Sequence, residues 1–224
     1  LPIASVMFLL NPNRDQEVRS SGGQDASLLN AWRHCGATLQ GVLSFTAVLC
    51  LIGFYHPGLA PLIAFDQLGP KPTDLGLFTS VLAGGSIVGG LVLQRNSQSC
   101  CRRPFLTLGG FGLITAVAQL GMAWTTGPVL SLAMAFLIGA GTAGLLSSCN
   151  VISQIGSPQV MRGRMGGLSQ IAFLGGGGLS GLIVALMVTL RGLSMAFALT
   201  GGLSAAVAVL WIRKRGAKTL EPFR

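Results

Sequence analysis

Between residues 39 and 212 the chain consists of six long apolar runs divided by short polar breaks, a pattern that leaves few folds open. The runs cover residues 39–65, 75–93, 105–124, 129–155, 165–190 and 193–212. Each can cross a bilayer as a helix, which takes about 20 residues rising about 1.5 Å apiece. The hydrocarbon core offers the backbone no water, so only helices and closed barrels span it, and these runs lack a barrel strand's alternation. Only 9% of the 224 residues are charged. A soluble domain carries about 25%, so the outer surface is expected to face lipid. The reading is an all-α integral membrane protein with a six-transmembrane-helix bundle over residues 37–215.

The ends differ from the bundle. Residues 1–10, LPIASVMFLL, are too short to span and lack both the positive start and the small-residue cleavage site of a secretory signal. They read as the tail of a truncated transmembrane helix. Residues 11–36 mix both charge signs with Ser, Gly, Asn and Gln and read as a solvated linker; residues 213–224 form a basic tail.

Charge sets the orientation. With the helices alternating, all but Lys71 and Arg191 of the 15 Lys and Arg residues fall on one side. The positive-inside rule makes that side cytoplasmic, so linker and C-terminus are expected in the cytoplasm of a multi-pass inner-membrane protein. The net charge of +9 does not point to nucleic acid, because the basic residues sit in short clusters between apolar runs. In VMRGRMGG, Arg162 and Arg164 belong at the cytoplasmic interface, since an Arg at a helix centre costs ~2.5–3.5 kcal/mol. Ser157 and Pro158 suit a helix start there, as cap and first-turn residue. Tyr55 and Trp124 near outer ends, and Trp211 near the inner end, suit interfacial anchoring.

The chemistry inside the helices is sparse. Ser147, Asn150 and Gln154 share one helix face, and Gln170 lies at a similar depth on the next helix. Two readings are open: the amides hydrogen-bond across helices, or they line a substrate cavity or gate. Gln119 reads as a lone packing amide, His56 as a wetted structural histidine near the outer interface, and His34 as a solvated linker residue. No run carries a charged residue in its middle, so a coupling proton would be handled elsewhere in the intact protein. The pairs Gly85/Gly89, Gly163/Gly167 and Gly177/Gly181 have the spacing that lets membrane helices approach closely. Within GGGGLSG, residues 175–181, packing competes with a bend as the role of the glycines. The five cysteines are irregularly spaced and make neither a disulfide framework nor a metal set with the two histidines, so no metal or cofactor is expected. An enzyme would need a nucleophile with a base, or a metal cluster, and these residues supply neither. A non-transporting scaffold or oligomerising half-bundle is the alternative to a transporter.

A polar linker followed by six helices, with a basic loop after the second, resembles the C-terminal half of a major facilitator superfamily transporter. PLIAFDQLGPKPTDLGLFTSVLAGGSIVGGLV looks like that family's seventh-to-eighth helix passage. NVISQIGSPQVMRGRMGGLSQIAF resembles the tenth-to-eleventh passage of the branch containing siderophore and macrolide exporters, through Asn150, Gln154, Pro158, Arg162, Gly163 and Arg164. Gly90 and Arg95 match the family's cytoplasmic loop motif. Gln94 stands where an acid is expected, and Arg102 and Arg103 arrive late. The resemblance implies two six-helix bundles rocking around a midplane site. The partner would be a missing N-terminal six-helix half, and the cargo a small organic molecule moved outward.

Overall fold

The computed structural model describes residues 36–96, 102–125, 127–157 and 161–215. Among these, every regular element is helical. The elements are α1 (Ala37–Gly53), α2 (His56–Gln67), α3 (Pro72–Arg95), α4 (Pro104–Trp124) and α5 (Pro128–Ile155). Then come α6 (Arg162–Gln170), a π-helical turn (Ile171–Gly175), α7 (Gly176–Arg191) and α8 (Leu193–Arg215). Two pairs run on almost without a break, α1 into α2 and α6 through the π turn into α7, leaving six helices long and apolar enough to cross a membrane.

The helix starts follow local chemistry. Pro72, Pro104 and Pro128 each occupy a first helical position, where the missing N–H would have had no partner anyway. Asp74 accepts the Lys71 N–H at 3.3 Å and closes the first turn of α3. Gly192, at φ 83°, makes the tight turn from α7 into α8 in a conformation that L side chains rarely adopt. Ser157 was expected to cap the next helix. Its hydroxyl instead donates back to the Ser153 carbonyl, and α6 begins at Arg162 after Met161; Pro158 lies outside the described residues.

Helix contacts fix the directions. A Cβ on Gly85 would lie 2.0 Å from the Phe136 carbonyl oxygen, and one on Gly89 would lie 2.1 Å from that of Ala140, so α3 and α5 run parallel, backbone to backbone. Gly139 answers from α5, with the Leu82 carbonyl 2.0 Å from its would-be Cβ. Gly109 against Ile212 and Gly201 against Leu120 set α4 antiparallel to α8. Phe45 stacks on Trp211 at 4.5 Å, and the Tyr55 hydroxyl lies 3.1 Å from that of Thr200, which sets α1 antiparallel to α8. These alternations gather Arg95, Arg102, Arg103, Arg162, Arg164, Arg213 and Lys214 at one end, called the basic end below. At the opposite end Gln67 Oε1 accepts from the hydroxyls of Thr125 and Ser131, pinning α2 to the α4–α5 turn. The bundle exterior is oily, with Ile87 65% and Leu182 72% exposed.

Candidate substrate-facing site

Two helices of this apolar bundle are interrupted, and the first interruption gathers buried polar groups. The first is the junction of α1 and α2. A regular helix would have the carbonyl of Gly53 accept from the N–H of residue 57, but Pro57 has none. The chain leaves the helix at Phe54 and re-enters it at His56. Gln119, fully buried on α4, replaces the lost donor: its Nε2 lies 2.7 Å from the Gly53 carbonyl and 2.9 Å from His56 Nε2. One amide nitrogen has two hydrogens to give, so His56 Nε2 is the acceptor and its proton sits on Nδ1. His56 Nδ1, Gln119 Oε1 and the Ser204 hydroxyl are buried here without a protein partner. A Cβ on Gly53 would lie 3.1 Å from both Gln119 Nε2 and Ser204 Oγ, so these side chains would have to shift by a few tenths of an ångström to admit one.

This region corrects three expectations. His56 is 2% exposed rather than wetted, stacked 6.2 Å from Phe197. Tyr55 is 1% exposed, a core residue rather than an interfacial anchor, because its ring packs on His56 and Phe197 and its hydroxyl has found Thr200. Gln119 is no lone packing amide; it ties α4 to the broken helix. Trp124 is exposed, whereas Trp211 lies half-buried against Phe45 and Phe105.

The second interruption faces the first. The π turn carries Phe173, whose ring centroid lies 4.1 Å from that of Phe54 at the α1–α2 junction. Just past it, a Cβ on Gly176 would lie 3.0 Å from the Ala47 carbonyl oxygen, and one on Gly177 would lie 2.3 Å from the Phe54 ring. A cavity of about 20 Å³, room for about one water, lies among Cys50, Gly53, Phe54, Thr115, Phe173 and Ser204. Helices interrupted in this way are where membrane proteins place backbone that must be satisfied by neighbours.

The amides singled out by sequence lie nearer the basic end. The Ser169 hydroxyl, fully buried, lies 2.5 Å from Asn150 Oδ1 and 2.8 Å from the Gly166 carbonyl, joining α6 to α5. Asn150 therefore meets Ser169, not its neighbour Gln170. Gln154 and Gln170 are both exposed, while Ser147 and Asn150 are half-buried. Arg95, Arg102, Arg103 and Arg162 are exposed, Arg164 is half-buried, and Gly90 meets nothing within 4 Å. Gly163, Gly167 and Gly181 likewise have no neighbour within 4 Å of a would-be Cβ, so within this bundle they pack against nothing. Their spacing matched that of Gly85 and Gly89, but spacing does not say which face of a helix meets a neighbour. Among the described residues no group of three or more His, Cys, Asp or Glu could hold a metal.

A model of the major facilitator superfamily matches residues 41–223. The chain belongs to the major facilitator superfamily. No curated protein and no solved structure matches it. Superfamily membership makes this a multi-pass membrane transporter, in keeping with the all-helical bundle and its six membrane-length helices. Sequence reasoning missed Gln119 as a clamp, Ser169 as the partner of Asn150, and the π turn. Pro57 was a signal for the first, since it strips Gly53 of its helical donor. The glycine run from Gly175, read as packing or a bend, adjoins the π turn, whereas nothing comparable marked Ser169.

Proposed function

We propose that the chain is the C-terminal six-helix half of a secondary transporter that exports a small organic molecule by alternating access, of the branch resembling siderophore and macrolide exporters. Its basic end faces the cytoplasm, and the linker and C-terminus lie on that side. The observation that carries this reading is the exposure of Gln154 and Gln170 beside the Asn150–Ser169 bond, near the basic end of membrane-length helices. Amides left uncovered on membrane helices need a wet or polar counterpart, which a cavity shared with an N-terminal half supplies. In this reading Ser147, Asn150, Gln154 and Gln170 line the cytoplasmic side of the substrate path, and Arg162 and Arg164 anchor the turn between α5 and α6. No carboxylate lies midway along the described spans, so a coupling proton would be taken up on the partner half.

The test is export of a panel of fluorescent organic substrates by cells carrying the intact transporter, with and without Gln154→Ala and Gln170→Ala. The expected result is a raised KM for at least one exported compound at normal protein levels. Unchanged KM and rate across every exported compound would remove these amides from the path. Arg164→Gln with unchanged export would restrict that arginine to anchoring.

A further inference from the structure

Near the basic end, α3 and α4 each pack on α5 and scarcely touch each other. The gap between them is a groove of about 230 Å³, lined by Val92, Leu93, Leu106, Gly110, Phe111 and Ile114 and edged by Asn96 and Thr107. Val92 and Ile114, at 43% and 41% exposed, open it toward the lipid. Its polar edge continues directly into arginines. Arg95 adjoins Asn96, whose side chain bonds the Val92 carbonyl, and the Arg103 carbonyl accepts both the N–H and the hydroxyl of Thr107. Arg95, Arg102 and Arg103 are all exposed, and the only described carboxylates, Asp66 and Asp74, lie at the opposite end. The first turn of α4, between Arg103 and Thr107, carries no acid and no side-chain cap, so the helix dipole there also favours an anion. An apolar trough leading to positive charge that meets no carboxylate among the described residues is complementary to an amphiphile with an anionic head.

We propose that this groove holds one acyl chain of an anionic phospholipid, with the phosphodiester seated among Arg95, Arg102 and Arg103. Guanidinium groups suit a phosphate because they offer several donors in a fixed plane. Basic recesses between membrane helices on the cytoplasmic side are where such head groups bind. The proposal depends on groove and charge together: the trough alone would take any lipid tail, and the arginines alone would attract any anion.

The test uses the intact transporter in neutral detergent, with lipid retention read by native mass spectrometry after adding phosphatidylglycerol, phosphatidylcholine or inorganic phosphate. Phosphatidylglycerol should be retained in preference to both. Arg102→Gln with Arg103→Gln should lower its retention by about fivefold per arginine removed. Gly110→Leu should abolish retention by filling the trough; it suits the bundle because a Cβ at Gly110 meets nothing within 4 Å. Equal retention of phosphatidylcholine overturns the proposal, as does equal retention of inorganic phosphate. Full retention of phosphatidylglycerol by either folded variant does the same.

Discussion

The α3–α5 seam and the α1–α2 junction solve the same membrane problem in opposite ways. Along the seam both helices are unbroken, every internal carbonyl has its helical donor, and Gly85, Gly89 and Gly139 bring the backbones into contact. At the junction Pro57 removes a donor, and a side chain from another helix, Gln119, supplies it. The seam is held chiefly by shape, with one side-chain bond across it, from the Ser86 hydroxyl to the Gly139 carbonyl at 3.3 Å. The junction is held by two directed hydrogen bonds beside three buried polar atoms without partners, and across from it lies a second irregularity, the π turn. A bundle built this way has an unbroken side and an interrupted side, and under the proposed alternating-access mechanism the interrupted side is where it would change shape.

The comparison can be broken most sharply at the seam. Gly85→Ala with Gly89→Ala forces two methyl groups to within about 2 Å of carbonyl oxygens, so the helices must part. The expected loss is about 3 kcal/mol, the top of the usual overpacking range, read as a lower midpoint in denaturing-detergent titration. A near-neutral outcome would mean that the seam is looser than its geometry.

The junction comes next. Gln119→Leu leaves the Gly53 carbonyl and His56 Nε2 without donors and should cost about 1–3 kcal/mol. Restoring an N–H with Pro57→Ala should shrink that cost, and a double-mutant cycle measures by how much. If Gln119→Leu costs the same in both backgrounds, Gln119 is not standing in for the proline's missing donor.

Ser169→Ala removes the bond to Asn150 and should cost about 0.6 kcal/mol, an ordinary value for a hydrogen bond between membrane helices. Its more telling readout is transport, because it frees Asn150 without altering Gln154 or Gln170. The smallest effect is expected at Gly181→Ala, within about 0.5 kcal/mol, since nothing in this bundle lies within 4 Å. A large loss there in the intact transporter would reveal that a surface from outside this bundle packs on α7.

Sequence carried further in some places than in others. The six spans were legible because apolar length is a property of each segment by itself, and the α3–α5 glycines stood out by their spacing. Gly163, Gly167 and Gly181 carry the same spacing without the contact, because a repeat of four marks a stripe without saying what faces it. His56 and Tyr55 were misplaced for a related reason. Nearness to the end of an apolar run suggests water, but α4 and α8 wrap this stretch and close it off. Asn150 was singled out beside Gln170, but its partner is Ser169, one residue earlier, because the rotation of α6 sets which side chain turns inward.

The sequence by itself determined that this chain lives in a membrane, how many times it can cross, and which end of the bundle collects positive charge. Those follow from summed transfer energies of whole segments, which need no knowledge of neighbours. Only the tertiary structure decided that Gln119 answers Pro57, that Phe173 meets Phe54, and which glycines touch another helix. Each depends on the rotation of one helix against another, which apolar residues on every side leave undetermined until the helices pack.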